Sequence, residues 1–250
     1  MHHTCSFMEN ITAPVTDSDV NALQTGEIFP VQNNHFYPNE DYDLVYALAL
    51  STATDRGRIV TPRIRGVAQL QVWPINVGAT MNSPQRPADY RRHPFRLRSF
   101  EEVSYEVTLS GVAAQDVYCV LGLMRQFVPV PAGDIFCLRG SSTTAATADA
   151  WSTIAVTWEQ NVPQGRFPIV GLSHRSTNGV ACRLNVPGQW ERPGCLSVAA
   201  LGDIPHEMFT TGGLGIWAYF QNTAMPVVEV LANAADAVHE LRLYFVVPRG

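Results

Sequence analysis

The stretch FRLRSFEEVSYEVTLSG, Phe95 to Gly111, decides the fold class. From Glu102 to Leu109 its residues alternate, with Val103, Tyr105, Val107 and Leu109 on one face and Glu102, Ser104, Glu106 and Thr108 on the other. A period of two belongs to a β-strand that turns one face to a core and the other to water.

The neighbouring segments extend this pattern. DVYCVLGLM (Asp116 to Met124) is almost wholly apolar, as a strand buried on both faces would be. Upstream, IRGVAQLQVWPI (Ile64 to Ile75) is rich in strand formers, with Gly66 and Pro74 marking a bulge and an end. YALAL (Tyr46 to Leu50) fits a strand or a short helical turn. Downstream, STIAVTWEQ, GRFPIVGLSH, GVACRLNV, GCLSVAAL, GLGIWAYFQN, PVVEVLAN and HELRLYFVVP follow at the spacing of a β-sandwich. In the last of these, Leu241, Leu243, Phe245 and Val247 are expected on one face and Arg242 and Tyr244 on the other. Only NAADAVHE (Asn233 to Glu240) has helical composition, and it is short. The class is therefore all-β, a jelly-roll sandwich.

Two architectures fit: two small jelly rolls in tandem, or one eight-stranded jelly roll with a long N-terminal arm. FVPVPAG and GSSTTAATADA read as connector around a short strand, DIFCLR. The expected domains are an extended acidic arm over 1–43, a first β-sandwich over 44–131 and a second over 132–250.

Composition narrows the chemistry. In 250 residues, 16% charged and 46% apolar, all 17 basic residues are Arg. A chain without Lys has no Schiff-base lysine, no phosphate-loop lysine and no Ser-Lys nucleophile pair. No apolar run approaches the ~20 residues of a membrane span. The opening MHHTCSFMENITAP lacks a basic and an apolar signal region, so a soluble chain without a secretory signal is expected.

Seven His show no HxH, HxxxH or HExxH spacing, and the five Cys show no CxxC, so no local metal site is expected. Met1-His2-His3 has the form of a Cu(II) or Ni(II) chelate, against the plainer reading of a frayed terminus. GxSxG is absent. Glu101 and Glu102 point to opposite faces of a strand, and GGLGIW (Gly212 to Trp217) reads as a tight turn that buries Trp217. No catalytic residue and no cofactor is expected. Cys182 and Cys195 flank the turn NVPGQWERPG and could face each other as a disulfide; buried free thiols are the default.

Charge falls in blocks. Residues 1–55 carry eight acids and no Arg, 56–98 carry nine Arg against Asp89, and the remainder holds thirteen acids and eight Arg, for a net −5. Arg-rich segments can neutralise nucleic-acid phosphates. Here, however, the Arg residues are interleaved with strands, and few aromatic side chains lie near them (Trp73, Tyr90, Phe95, Phe100). The preferred expectation is that acidic Asp17, Asp19, Asp41 and Asp43 dock on basic Arg56, Arg58, Arg63, Arg65, Arg86, Arg91 and Arg92, within the chain or on a neighbouring copy, as a subunit interface. Solvated charges that never meet are the bland alternative.

Many short strands, an acidic arm, loops rich in Pro, Asn and Arg, and sparse charge together resemble the jelly-roll capsid proteins of small icosahedral viruses. The same pattern looks like the double-jelly-roll coat proteins of membrane-containing phages. It covers Ile64 to Pro248 as a pattern of strands and loops. The resemblance implies a self-assembling icosahedral shell subunit, made in the host cytoplasm and located in the virion. Its partners would be itself, other capsid proteins, and an internal membrane or the genome, with residues 1–43 and the loop Asn76 to Pro94 clamping neighbours. The simple RNA-virus pattern has a basic arm; this one is acidic, which favours the phage-type shell. The competing expectation is a β-sandwich carbohydrate-binding or adhesin module, with Trp190 as a sugar platform.

Overall fold

The computed structural model describes all residues except 24–28, 52–55, 63–69, 72–73, 77–86, 112, 199–206 and 250; for 70–71, 74–76 and 207 it describes the backbone alone. Arg63, Arg65, Arg86 and Trp73 lie outside the described residues. The chain divides into two compact units: one comprises Cys5–Met81 and Gln85–Arg125, the other is built on Met1–Thr4 and Gln126–Gly250.

The first unit contains β1 (His2–Thr12, from Cys5 onward), β2 (Val15–Asp19), β3 (Val31–Gln32), β4 (His35–Phe36), β5 (Tyr42–Ser51) and β6 (Arg56–Val60). It continues through β7 (Leu70–Gln71), β8 (Pro74–Asn76), β9 (Ala88–Asp89), β10 (Phe95–Leu97), β11 (Ser104–Leu109) and β12 (Ala114–Met124). One sheet runs β1-β12-β5-β10, with β8 and β9 also pairing to β5; a second runs β2-β11-β6-β7. Their facing sides share one core. Val103, Tyr105, Val107 and Leu109 all enter it, as their alternation predicts, with Phe7, Phe36, Leu44, Val117 and Leu121.

YALAL is strand, part of β5, and is buried throughout. At Val45 the pairing with β12 slips, so that Gly122 faces Tyr46 while Leu123 faces Leu44. One extra residue shifts the face parity. Tyr42 and Leu44 before the bulge, and Ala47 and Ala49 after it, therefore reach the same core.

The described residues of 1–43 do not form an extended arm. β1 is buried from His2 to Met8, and Phe7, Val20, Phe29 and Phe36 sit in the core. Their apolar side chains are spaced too irregularly for a pattern search, yet burying Phe or Val contributes about 1.5–3 kcal/mol each. Pro14 follows a cis peptide bond between β1 and β2.

The second unit contains β13 (Gly133–Ser142), β14 (Trp151–Ile154), β15 (Thr157–Trp158), β16 (Arg166–Arg175), β17 (Gly179–Asn185) and β18 (Gly194–Val198). After α1 (Glu207–Thr210) come β19 (Ala218–Gln221), β20 (Val227–Ala232) and β21 (His239–Pro248). The strands are joined in the order β14-β20-β17-β18-β16-β21-β13-β15, with β19 also on β16. β18 pairs antiparallel with β17 and parallel with β16, a mixed pairing that the sandwich expectation did not contain.

DIFCLR is strand, as expected, but β13 runs on to Ser142 and pairs with β21 over its whole length, so the start of the expected connector GSSTTAATADA is sheet. By contacts the units part between Arg125 and Gln126, ahead of the expected 131/132 boundary. NAADAVHE forms no helix: Asp236 accepts hydrogen bonds from the Asn178 and Val238 backbone amides, and local side-chain bonding of this kind competes with helix. In β21 the alternation holds from Leu241 to Phe245; beyond it Val246 is buried and Val247 half-buried.

Candidate functional site

The predicted charge blocks do meet, and they meet within one chain. β2, β11 and β6 are neighbours, which places Ser18 beside Val107 and Gly57 on the other side of Val107. Asp17 therefore reaches Arg56 and Arg58, at 3.0 Å to Arg58. Arg58 also binds buried Glu106 at 2.6 Å. Burial works to raise the Asp17 carboxyl, but hydrogen bonds from Arg56 and Thr108 and the charge of Arg58 outweigh it, and its pKa is lowered.

Asp41 and Asp43 converge on Arg96, at 3.5 and 3.0 Å, a partner the sequence reading left outside its set. The cross-strand register Arg96↔Asp43 is what brings them together. Asp19 lies 3.5 Å from His35, whose other nitrogen is 3.4 Å from Glu102. Arg91 turns to Asp89, two residues before it, and Arg92 is exposed. Exposed pairs of this sort contribute about 0–1 kcal/mol each.

The second unit holds two buried polar networks. Arg183, fully buried on β17, donates from Nε to Glu229 on β20 at 2.7 Å, and its guanidinium lies 4.1 Å from the Trp151 ring centroid. Arg192 binds the same carboxylate at 2.6 Å, so one anion is shared by two cations. Thr4 completes the site: its carbonyl accepts from Arg183, and its amide donates to the Arg192 carbonyl at 2.8 Å. His2 and His3 are buried, and His3 Nδ1 accepts from the Arg192 amide, so the terminus is neither frayed nor poised as a chelate.

The second network is a chain of imidazoles. Ser197 Oγ lies 2.7 Å from His174 Nδ1, His174 Nε2 lies 3.2 Å from His239 Nδ1, and His239 Nε2 lies 3.2 Å from the Thr144 carbonyl. The two rings stack at 5.3 Å. Burial, with His239 beside it, lowers the His174 pKa to about 3. Ser176 donates to Asp236 nearby, and both histidines are buried.

Cys182 and Cys195 are direct cross-strand partners, as their flanking of a turn suggested, and both are buried free thiols. Either antiparallel spacing, about 4.5 or 5.5 Å between Cα atoms, lies inside the range a disulfide spans. GGLGIW is a turn, closed by a hydrogen bond from the Gly215 amide to the Gly212 carbonyl, and Trp217 is wholly buried. Trp190 is 82% exposed in its turn.

Sequence reasoning missed the open edge of β13. Beyond β21, its only strand partner among the described residues is β15, at Gly140 and Ser141. From Gly133 to Leu138 the outer side carries no ladder, and Ile135, Phe136 and Cys137 are all exposed. One ring face of Phe136 stacks on Phe245 at 5.9 Å. The signal was the run IFC inside DIFCLR, which was read only as a short strand between two connectors.

No family model matches the chain, and neither does any curated protein. Among solved structures, the major capsid protein P2 from Bacteriophage PM2 is similar to it at 7% identity, over 100% of this chain and 98% of that one, with a TM-score of 0.27. At that level the likeness assigns no function. The chain's own surfaces must supply it.

Proposed function

We propose that the protein is a structural shell subunit of viral coat type, one that acts by joining copies of itself and catalyses nothing. The open edge of β13 carries this proposal. An unpaired strand presents its N–H and C=O groups as a template for another strand, and natural sheets blunt such edges with charge, Pro or a covering element. Here the edge instead carries Ile135 and Phe136, with Asp134 as the one charge between Gly133 and Leu138. β-Strand addition by a second copy would satisfy the backbone groups and bury both side chains.

Two β units in one chain suit a tandem pair of small jelly rolls, and sparse surface charge suits a molecule that faces mostly protein. The partners are then further copies and other coat proteins, with an internal membrane beneath the shell, and the place of action is the virion after synthesis in the host cytoplasm. Because Asp17, Asp41 and Asp43 already have Arg partners in their own chain, association runs through the apolar edge and survives high salt.

Sedimentation velocity over a wide concentration range, followed by electron microscopy, tests this. Species well above 27.5 kDa are expected, and Phe136→Asp with Ile135→Lys should return them to monomer. A wild-type chain that stays monomeric at every concentration and salt would overturn the proposal.

A further inference from the structure

On the second unit, two adjoining hollows share Arg166 and Gln221. Both are open to solvent, at about 270 Å³ and about 450 Å³, a size that suits a sugar ring held at a surface. Their walls come from the start of β16, from β19 beside it, and from the turn after β17. Arg166 and Gln221 are cross-strand partners, and Tyr219 is set diagonally from Arg166, whose guanidinium lies 4.6 Å from the tyrosine ring centroid. Gln189 pins the turn to β19 by donating from Nε2 to the Tyr219 carbonyl at 3.0 Å. The next residue is Trp190, held in the open at 82% exposure.

The donor set has a definite chemistry. Gln189, Gln221 and Asn222 offer amides, which bind hydroxyls as donors and acceptors. Asn222 Oδ1 is engaged by the Gly165 amide at 3.2 Å, which leaves its NH2 group as the available end. None of the described lining residues is acidic, and no described carboxylate forms an ion pair with Arg166. A guanidinium set over an aromatic ring, with amides around it and no described carboxylate paired to it, suits a planar carboxylate bound in bidentate fashion. The exposed indole of Trp190, next in the chain to the lining residue Gln189, suits the apolar face of a pyranose ring.

We infer that this surface, formed by Arg166, Gln189, Trp190, Tyr219, Gln221 and Asn222, binds an acidic saccharide. Arg166 takes the carboxylate, the amides take ring hydroxyls, and Trp190 packs against the sugar. The inference is independent of the self-association proposed above, since none of these residues lies on β13.

The test is ligand-observed saturation-transfer NMR and calorimetry on the full chain with 3′-sialyllactose, digalacturonic acid and neutral lactose as probes. At least one acidic saccharide should bind saturably with a Kd on the order of 1 mM or tighter, and lactose at least tenfold more weakly. Arg166→Gln and Trp190→Ala, both at exposed positions, should each weaken that binding tenfold or more while circular dichroism and sedimentation stay as in the wild type. Absence of saturable binding by either acidic probe, equal binding of lactose, or affinity unchanged in both variants would overturn the inference. Loss of self-association with saccharide binding intact would count against the shell proposal alone.

Discussion

Tyr46 occupies the space that a side chain on Gly122 would need. The two are cross-strand partners on β5 and β12, and a Cβ built at Gly122 would fall 1.9 Å from Cε1 of the tyrosine and 2.5 Å from its Cζ. Tyr46 is wholly buried, so its ring has nowhere to retreat. Gly122→Ala is expected to destabilise the first unit by about 1–3 kcal/mol or more, the usual cost of overpacking a filled core. Urea denaturation would measure it, and Tyr46→Leu in the same chain should recover part of the loss.

Glu229 holds two guanidiniums, one of them fully buried. Removing the anion strands the Arg183 charge in the interior. Glu229→Gln should therefore cost about 3–5 kcal/mol, whereas Glu229→Leu combined with Arg183→Met should cost less than Glu229→Gln alone. Chemical denaturation of the two variants decides it; a double variant that costs as much as Glu229→Gln or more would mean that the stranded charge is not the source of the loss.

His174 supplies a pH dependence with a definite sign. Its pKa is about 3 in the fold, against 6.5 when unperturbed, so the folded state holds it neutral. That stability is fully present above about pH 6.5 and is lost as pH falls toward 3, at about 1.4 kcal/mol per pH unit within the window. Denaturant midpoints from pH 7.5 to 4 should fall at least this steeply, because burial also holds His2 well below its ordinary value. In His174→Gln the fall over the same window should be shallower, while the Asp236 carboxyl, already lowered, titrates below it.

The thiols should divide one to four. Cys137 is exposed on the open edge, while Cys5, Cys119, Cys182 and Cys195 are buried, and burial drives the Cys119 and Cys182 thiols well above their ordinary pKa. An aromatic disulfide reagent should titrate one thiol in the native chain and five in guanidinium. A denatured count of three would show Cys182 and Cys195 joined.

The strand content was legible because it rests on a two-residue period that each segment carries in itself. Val103 to Leu109 and Asp116 to Met124 needed no knowledge of their partners, and the core confirms both. Residues 1–43 failed for the opposite reason. Phe7, Val20 and Phe29 are buried by what β11, β12 and β5 bring to them, and that burial is a property of pairing across the chain, absent from local spacing. Charge blocks showed that Asp17 and Arg56 belonged together but gave no register, so Arg96 went unnoticed as the partner of Asp41 and Asp43. The Cys182 and Cys195 pairing was legible because a turn fixes its own register. The edge of β13 was hidden, since being an edge is a statement about the strand that is missing.

The grip of Arg183 and Arg192 on Thr4 sets an order of events during synthesis. Thr4 is synthesised before both of its hydrogen-bonding partners, Arg183 following it by 179 positions and Arg192 by more. Met1–Thr4 can make these contacts only once β17 and the turn after it have been made. A gene split at codon 125 would accordingly give a C-terminal fragment lacking the four residues that finish it, and supplying Met1–Thr4 as a free peptide should restore what the cut removed.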